Sequence, residues 1–229
     1  VHNRPSYIIQ LAKKLPDQIF SLFFHNDPLS MDGSKTVEER KKLLNICYKI
    51  IFNSNWSKKR FLEGLENKFV NSNKLVVFYQ SAKKNNISIL RNKKKWITFV
   101  GKLNKAKGYD IFAKSIEKIL NKYPKWQAKI IGDEKREKII LSHKNAHIMG
   151  FMSHEKVLEI FKKTSIAVAC SRWEEPFGRT SLEASASGCA VIITNKGGLP
   201  ETVTNAKILS ELNVKNLKKT LDILIKNSK

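Results

Sequence analysis

Short unbroken apolar runs alternate along this chain with longer segments whose apolar positions recur at helical spacing. Runs at 18–24, 49–52 and 74–79 predict three strands in the first third. The segments 6–15, 39–47 (ERKKLLNIC) and 58–65 (KKRFLEGL) predict the helices around them. A second series follows, with strands at 96–100, 129–131, 146–149, 165–170 and 189–194. Its helices are expected at 109–122, at 155–163 (EKVLEIFKK), over about ten residues from Arg179, and at 213–226. Thr36 with Glu39 makes a capping box, and Ser153 is expected to cap the helix that follows it. Strands without polar alternation, each followed by a helix, are the signature of βα units in a parallel sheet buried on both faces. The fold class is therefore α/β.

The polar, charged stretch 81–95, SAKKNNISILRNKKK, is the linker candidate. It separates residues 1–80, with three strands, from residues 96–229, with the longer series. The second part is long enough for an essentially complete Rossmann-like domain, and the first is partial. The chain opens VHNRPSYIIQ, with neither Met nor a signal-peptide pattern, so it is expected to begin inside a longer sequence.

Composition narrows the function classes. No apolar run approaches the roughly 20 residues of a spanning helix. The net charge is +23, from 43 Lys and Arg against 20 Asp and Glu, and it is spread over both parts. Lys outnumbers Arg 36 to 7, and no nucleic-acid docking motif is present, which argues against a specific nucleic-acid partner. A basic surface is compatible with peripheral contact with an anionic membrane. Cys47, Cys170 and Cys189 lie in or beside apolar runs without paired spacing, which predicts buried, reduced thiols and a cytoplasmic setting. The tryptophans are expected to serve in packing. His143 and His147 do not make a metal site, because a strand begins near the second, and none is assigned elsewhere.

Ligands of open parallel sheets bind beyond the carboxyl ends of the strands. In the second part those ends read 101–108, Gly132-Asp133, Gly150-Phe151, 171–178 and 195–198, and each contains glycine. Lys102 and Lys107 share the first of these loops. The stretch from Ser171 to Glu201, SRWEEPFGRTSLEASASGCAVIITNKGGLPE, reads as loop, helix, strand and loop. Its helix N-terminus suits a phosphate, through unpaired N–H groups and the macrodipole. Glu175 before that terminus and Glu183 about a turn inside it can accept hydrogen bonds from hydroxyls. Phosphate and sugar hydroxyls on one ligand is the reading.

These motifs, in this order, resemble retaining glycosyltransferases of the GT-B fold, family 4 (glycosyl transferases group 1). The matching residues are Gly101-Lys102-Leu103 with Lys107-Gly108, Ile131-Gly132-Asp133, Glu175-Pro176-Phe177-Gly178 with Glu183-Ala184, and Gly197-Gly198-Leu199-Pro200-Glu201. The resemblance is strong over 96–205 and weaker over 18–80. It implies two Rossmann-type domains, an acceptor-side one that is partial here and a nucleotide-sugar-binding one. It implies no resident cofactor and no metal; a nucleotide-diphosphate-sugar serves as co-substrate. By the resemblance, Lys102 and Lys107 hold the donor diphosphate, with Lys102 standing where arginine is commoner. The backbone N–H groups of Gly178, Arg179 and Thr180 bind phosphate, and Glu183 binds the ribose. The base lies near Met149 and Gly150, with Gly101 at the end of the first strand of this part. Glu175 faces the transferred sugar, and His25, in the HNDP turn, is the first domain's catalytic-side histidine. The acceptor is expected to be a glycan or lipid-linked hydroxyl. The alternative is a non-catalytic nucleotide-sugar-binding module.

Overall fold

The computed structural model describes residues 1–83 and 93–227. Most of the linker candidate, 84–92, lies outside the described residues. The chain divides into two compact units: Val1–Gln80 together with Glu175–Phe177, and Ser81–Glu174 together with Gly178–Lys229.

The first unit holds helices α1 (Pro5–Lys14), α2 (Val37–Ile46) and α3 (Asn55–Leu62) on a sheet of β1 (Phe20–Phe24), β2 (Cys47–Phe52) and β3 (Leu75–Val77). The sheet is parallel in the order β1-β2-β3. Leu22, Phe24, Ile50, Phe52 and Leu75 pack against Ile8, Leu43, Leu44 and Phe61 of the helices. The expected capping box forms in full, Thr36 Oγ1 accepting from Glu39 N and Glu39 Oε2 from Thr36 N. Ser54 caps α3 by accepting from Ser57 N at 3.0 Å.

The second unit is built on β4 (Lys94–Val100), β5 (Gln127–Ile131), β6 (Ala146–Ile148), β7 (Thr164–Ala169), β8 (Ala190–Thr194) and β9 (Lys207–Leu209). All pair in parallel, in the order β6-β5-β4-β7-β8-β9. Its helices are α4 (Tyr109–Lys122), α5 (His154–Lys163), α6 (Arg179–Ala186) and α7 (Val214–Lys226). One face of the sheet buries Ile97, Phe99, Ile130, Val168 and Ile192 against α4 and α7. The other buries Ile131, Ala167, Val191 and Ile193 against Val157 and Phe161 of α5 and Ala184 of α6. With helices on both faces, alternate residues of each strand are buried in opposite directions, which explains the unbroken apolar runs.

Three expectations change. The strand β9 went unread, being three residues long at a sheet edge. Ser153 sits at the N-cap of α5, but its side chain makes no capping hydrogen bond. Of the tryptophans, Trp126 is buried in the core, whereas Trp173 is 56% exposed in the loop after β7. Cys47, Cys170 and Cys189 are buried free thiols, and desolvation pushes Cys170 up to about 12.

Candidate active site

In the second unit the order of strands reverses at β4. The chain builds outward on one side through β5 and β6, then returns to add β7, β8 and β9 on the other. The loops after β4 and β7 thus diverge at a topological switch point, where open α/β sheets bind ligands. These are the loops 101–108 and 171–178.

The two loops are tied together. Ala106 O accepts from Arg172 N at 2.8 Å, Trp173 N at 3.1 Å and Ser171 Oγ at 3.2 Å. Arg172 also forms a bidentate pair with Asp110, at 2.6 and 2.9 Å, at the start of α4. Burial alone would raise the Asp110 carboxyl, but the Arg172 guanidinium brings it below its ordinary value. Gly108 caps α4 at φ 73° against β7, where a Cβ would stand 1.9 Å from Cys170 O. On the far side, Glu174 Oε2 accepts from Gly197 N, and its Oε1 pairs with Lys196 at 3.0 Å. The loops after β4, β7 and β8 are therefore one connected surface.

A second group of strand ends lies beside it. Gly101 N donates to Ile131 O at 3.0 Å, and Gly132 N to Gly150 O at 2.8 Å. At Gly132 (φ 132°) a Cβ would fall 1.9 Å from Gly101 O, so only glycine allows β4 and β5 to end this close. Met149, one-third exposed, and Gly150 follow β6 on the same edge.

Lys102 lines a cavity of about 380 Å³ with Asp133, Glu134, Lys135 and Arg136. Glu134 is held down to about 2 by side-chain and backbone hydrogen bonds from Arg136 and one from Asn104 Nδ2. Asn104 Oδ1 accepts in turn from Lys107 N at 3.0 Å, so Asn104 shapes the loop that carries both lysines.

Helix α6 starts at Arg179 behind Gly178, whose φ of 104° disfavours any side chain and where a Cβ would displace Leu199 Cδ2, 2.5 Å away. No capping side chain covers this end, which leaves the amides around Gly178, Arg179 and Thr180 at the helix's positive pole. One turn in, Glu183 is 8% exposed. Its Oε1 accepts from Arg179 Nη2 at 2.8 Å and Nε at 3.2 Å, and lies 3.0 Å from His154 Nε2. Glu183 lines a cavity of about 330 Å³ with Ser81, Ala82, Lys83, His154, Leu158, Lys162, Arg179 and Ser187.

Glu175 and His25 belong to the first unit. Glu175 is half-buried, and its neighbour Pro176 offers a carbonyl that accepts from Ser54 Oγ at 2.6 Å. That hydroxyl heads a buried series: Ser54 Oγ to Ser57 Oγ at 3.1 Å, Ser57 Oγ to Asn53 Oδ1 at 3.0 Å, and Asn53 Nδ2 to His25 O at 3.0 Å. His25 ends β1 with its Nε2 3.0 Å from His2 Nδ1, stacked on Phe23 at 4.5 Å. Burial, then the neighbouring His2, lowers its pKa.

His154, the Arg172–Asp110 pair, Glu174 and the Asn53–Ser54–Ser57 series were not singled out from sequence. Among the described residues no group of three or more His, Cys, Asp or Glu could hold a metal ion, and no helix is long and apolar enough to cross a membrane.

A doubly wound sheet whose switch point carries lysines, closely packed strand-end glycines and an uncapped helix start defines an α/β protein of GT-B type. The chain belongs to the glycosyl transferases group 1 family, a retaining family whose profile matches residues 80–229. It is 25% identical over 236 residues to spore coat protein SA of Bacillus subtilis, covering 90% of this chain and 62% of that one. A protein in the cps region of Klebsiella pneumoniae is 28% identical over 172 residues, 68% of this chain and 46% of its own. The crystal structure of Anabaena HepE in complex with UDP superposes with a TM-score of 0.80 at 16% identity, covering all of this chain and 69% of that one. This chain thus spans less than two-thirds of the length of the first two relatives.

Proposed function

We propose that this chain belongs to a transferase that moves a sugar, with retention, from a nucleotide-diphosphate-sugar to a hydroxyl of a glycan or lipid-linked acceptor. The observation that carries the reading is the start of α6, an uncapped helix N-terminus at the switch point with the buried carboxylate of Glu183 one turn inside. The amides of Gly178, Arg179 and Thr180 suit a phosphate, and Glu183 suits a ribose diol. Lys102 and Lys107 add positive charge against the leaving diphosphate, so that stabilisation comes from charges fixed in place before reaction. Met149, Gly150 and Gly101 border the base. No side chain in these loops presents itself as a nucleophile. Front-face substitution, with the departing phosphate helping to take the acceptor proton, is therefore the favoured course. Glu175 bonds the transferred sugar, and His25 serves the acceptor side.

The UDP complex of the Anabaena structure supports a nucleotide donor, and the cps-region relative supports a polysaccharide setting. The net charge of +23 supports peripheral contact with anionic lipid.

Titration calorimetry with UDP, GDP and ADP tests the donor site. At least one should bind, and Glu183→Ala and Lys107→Ala should each weaken it by about tenfold, the loss of one charge-assisted contact. Unchanged affinity in both variants would sink the assignment. Donor binding that never leads to transfer or donor hydrolysis, even in a version extended to the length of the relatives, would favour a binding module instead.

A further inference from the structure

His154 has no role in the reading above, yet it touches the residue on which that reading depends. It is the first residue of α5, and its Nε2 lies 3.0 Å from Glu183 Oε1. The contact joins two helices. His154, Leu158 and Lys162 recur at helical spacing on α5, Arg179, Glu183 and Ser187 recur likewise along α6, and all six line the same cavity. Among the described residues Glu183 is the only carboxylate lining it, beside Lys83, His154, Lys162 and Arg179.

The arrangement is asymmetric. Side chains of Arg179 and His154 are 63% and 56% exposed, while that of Glu183 is 10% exposed. All the hydrogen bonds from these two side chains fall on Oε1. Among the described residues Oε2 accepts none, which leaves it for a hydroxyl. Arg179 reaches Oε1 from within the same helix, so it cannot fix α6 relative to anything else. His154 can, because it ends the short segment 149–153 that carries Met149 and Gly150.

We propose that His154 is a positioning residue for Glu183, holding its carboxylate in the rotamer that reads the ribose 2′- and 3′-hydroxyls and tying it to the loop bordering the base. This rests on the nucleotide-binding reading above. Held only by Arg179, which moves with the same helix, Glu183 keeps more freedom to lose when ligand binds than when His154 anchors it from α5 as well. A preorganised acceptor should discriminate a ribonucleotide from its 2′-deoxy analogue more strongly than a mobile one, since a held group cannot turn to other partners.

The test compares affinities for UDP and 2′-deoxy-UDP, or the matching pair for whichever of UDP, GDP and ADP binds best. The whole chain is used, with the thermal midpoint recorded for each variant. The wild type should prefer the ribonucleotide about tenfold, one hydrogen bond's worth. His154→Ala should reduce that preference to about twofold at an unchanged midpoint. His154→Gln, which keeps an N–H donor, should retain it, and Glu183→Gln should abolish it. A full tenfold preference in folded His154→Ala would overturn the positioning role while leaving the donor site standing. If His154→Ala does not fold, loss of the preference in His154→Gln overturns the role, and its retention supports it. Wild-type protein that binds none of the three nucleotides, or a Glu183→Gln variant that keeps the preference, would instead overturn the reading of Glu183 and this inference with it.

Discussion

Arg172 and Asp110 face each other as a bidentate ion pair, at 2.6 and 2.9 Å, joining the loop after β7 to the first turn of α4. Arg172 also donates to Lys105 O, so the pair holds the segment that carries Lys107. Asp110→Asn should lower stability by about 1 kcal/mol, as for a partly exposed pair of good geometry. It should also weaken nucleoside diphosphate binding. Thermal melts and calorimetry check the two effects, and nucleotide affinity equal to wild type would show that the loop does not need this tie.

Gly108 and Gly150 both lie at positive φ, 73° and 67°, but only one is crowded. A Cβ at Gly108 would sit 1.9 Å from Cys170 O, whereas one at Gly150 meets nothing within 4 Å. Gly150→Ala should cost about 1 kcal/mol, from the left-handed backbone alone. Gly108→Ala should cost clearly more, about 3 kcal/mol or above. Equal losses in chemical denaturation would mean that β7 yields to the methyl group.

Lys93 carries its ammonium group to the C-terminal ends of two helices. Its Nζ donates to Phe161 O of α5 at 2.9 Å and to Ser187 O after α6 at 2.6 Å. Cations at helix C-termini are favoured by the dipole. Lys93→Met would remove both charge-assisted hydrogen bonds and should cost about 2 kcal/mol, read as a drop in denaturation midpoint without change in slope.

His25 gives the first unit a pH dependence. Its pKa is lowered from 6.5 by burial and then by His2, so protons bind the unfolded chain more readily than the folded one. The contribution of His25 is complete above pH 6.5 and is lost as pH falls from there through the lowered folded value. Thermal midpoints between pH 7.5 and 5 should therefore decline more steeply in the wild type than in His25→Gln. Parallel curves would show that His25 titrates alike in both states.

Much of this was legible in the sequence because local chemistry decides it. The span 109–122 coincides with α4, since Phe112, Ile116, Ile119 and Leu120 recur at helical spacing and all are buried. Thr36 and Glu39 sit three residues apart and cap each other, as the pattern requires. Gly132 could be read as a strand-end glycine because it follows the apolar run 129–131, and Gly178 as a helix-start glycine because it closes a polar turn before a small-residue helix. The contacts that hold the loops in place have no such signal. Glu183 meets His154 across 29 positions, Arg172 meets Asp110 across 62 and Ser54 meets Pro176 across 122. Each pair is brought together by the tertiary fold, and nothing periodic in the sequence announces it. Lys207, Ile208 and Leu209 form β9 for the same reason, through pairing with β8 rather than by any run of their own.

The reversal of strand order at β4 also bears on how the second unit is assembled. β4 is its first strand and lies inside the sheet, paired with β5 on one side and with β7 on the other, Phe99 standing opposite Val168 about 70 residues later. During synthesis β5 and β6 can join β4 early, but its other edge stays open until β7 has left the ribosome. For that interval Ile97 and Phe99 lie along an unpaired apolar edge, the kind that recruits strands from other chains. Closing so long a loop before any reward is slow, so the edge that brings the loops after β4 and β7 together is among the last parts of this unit to form.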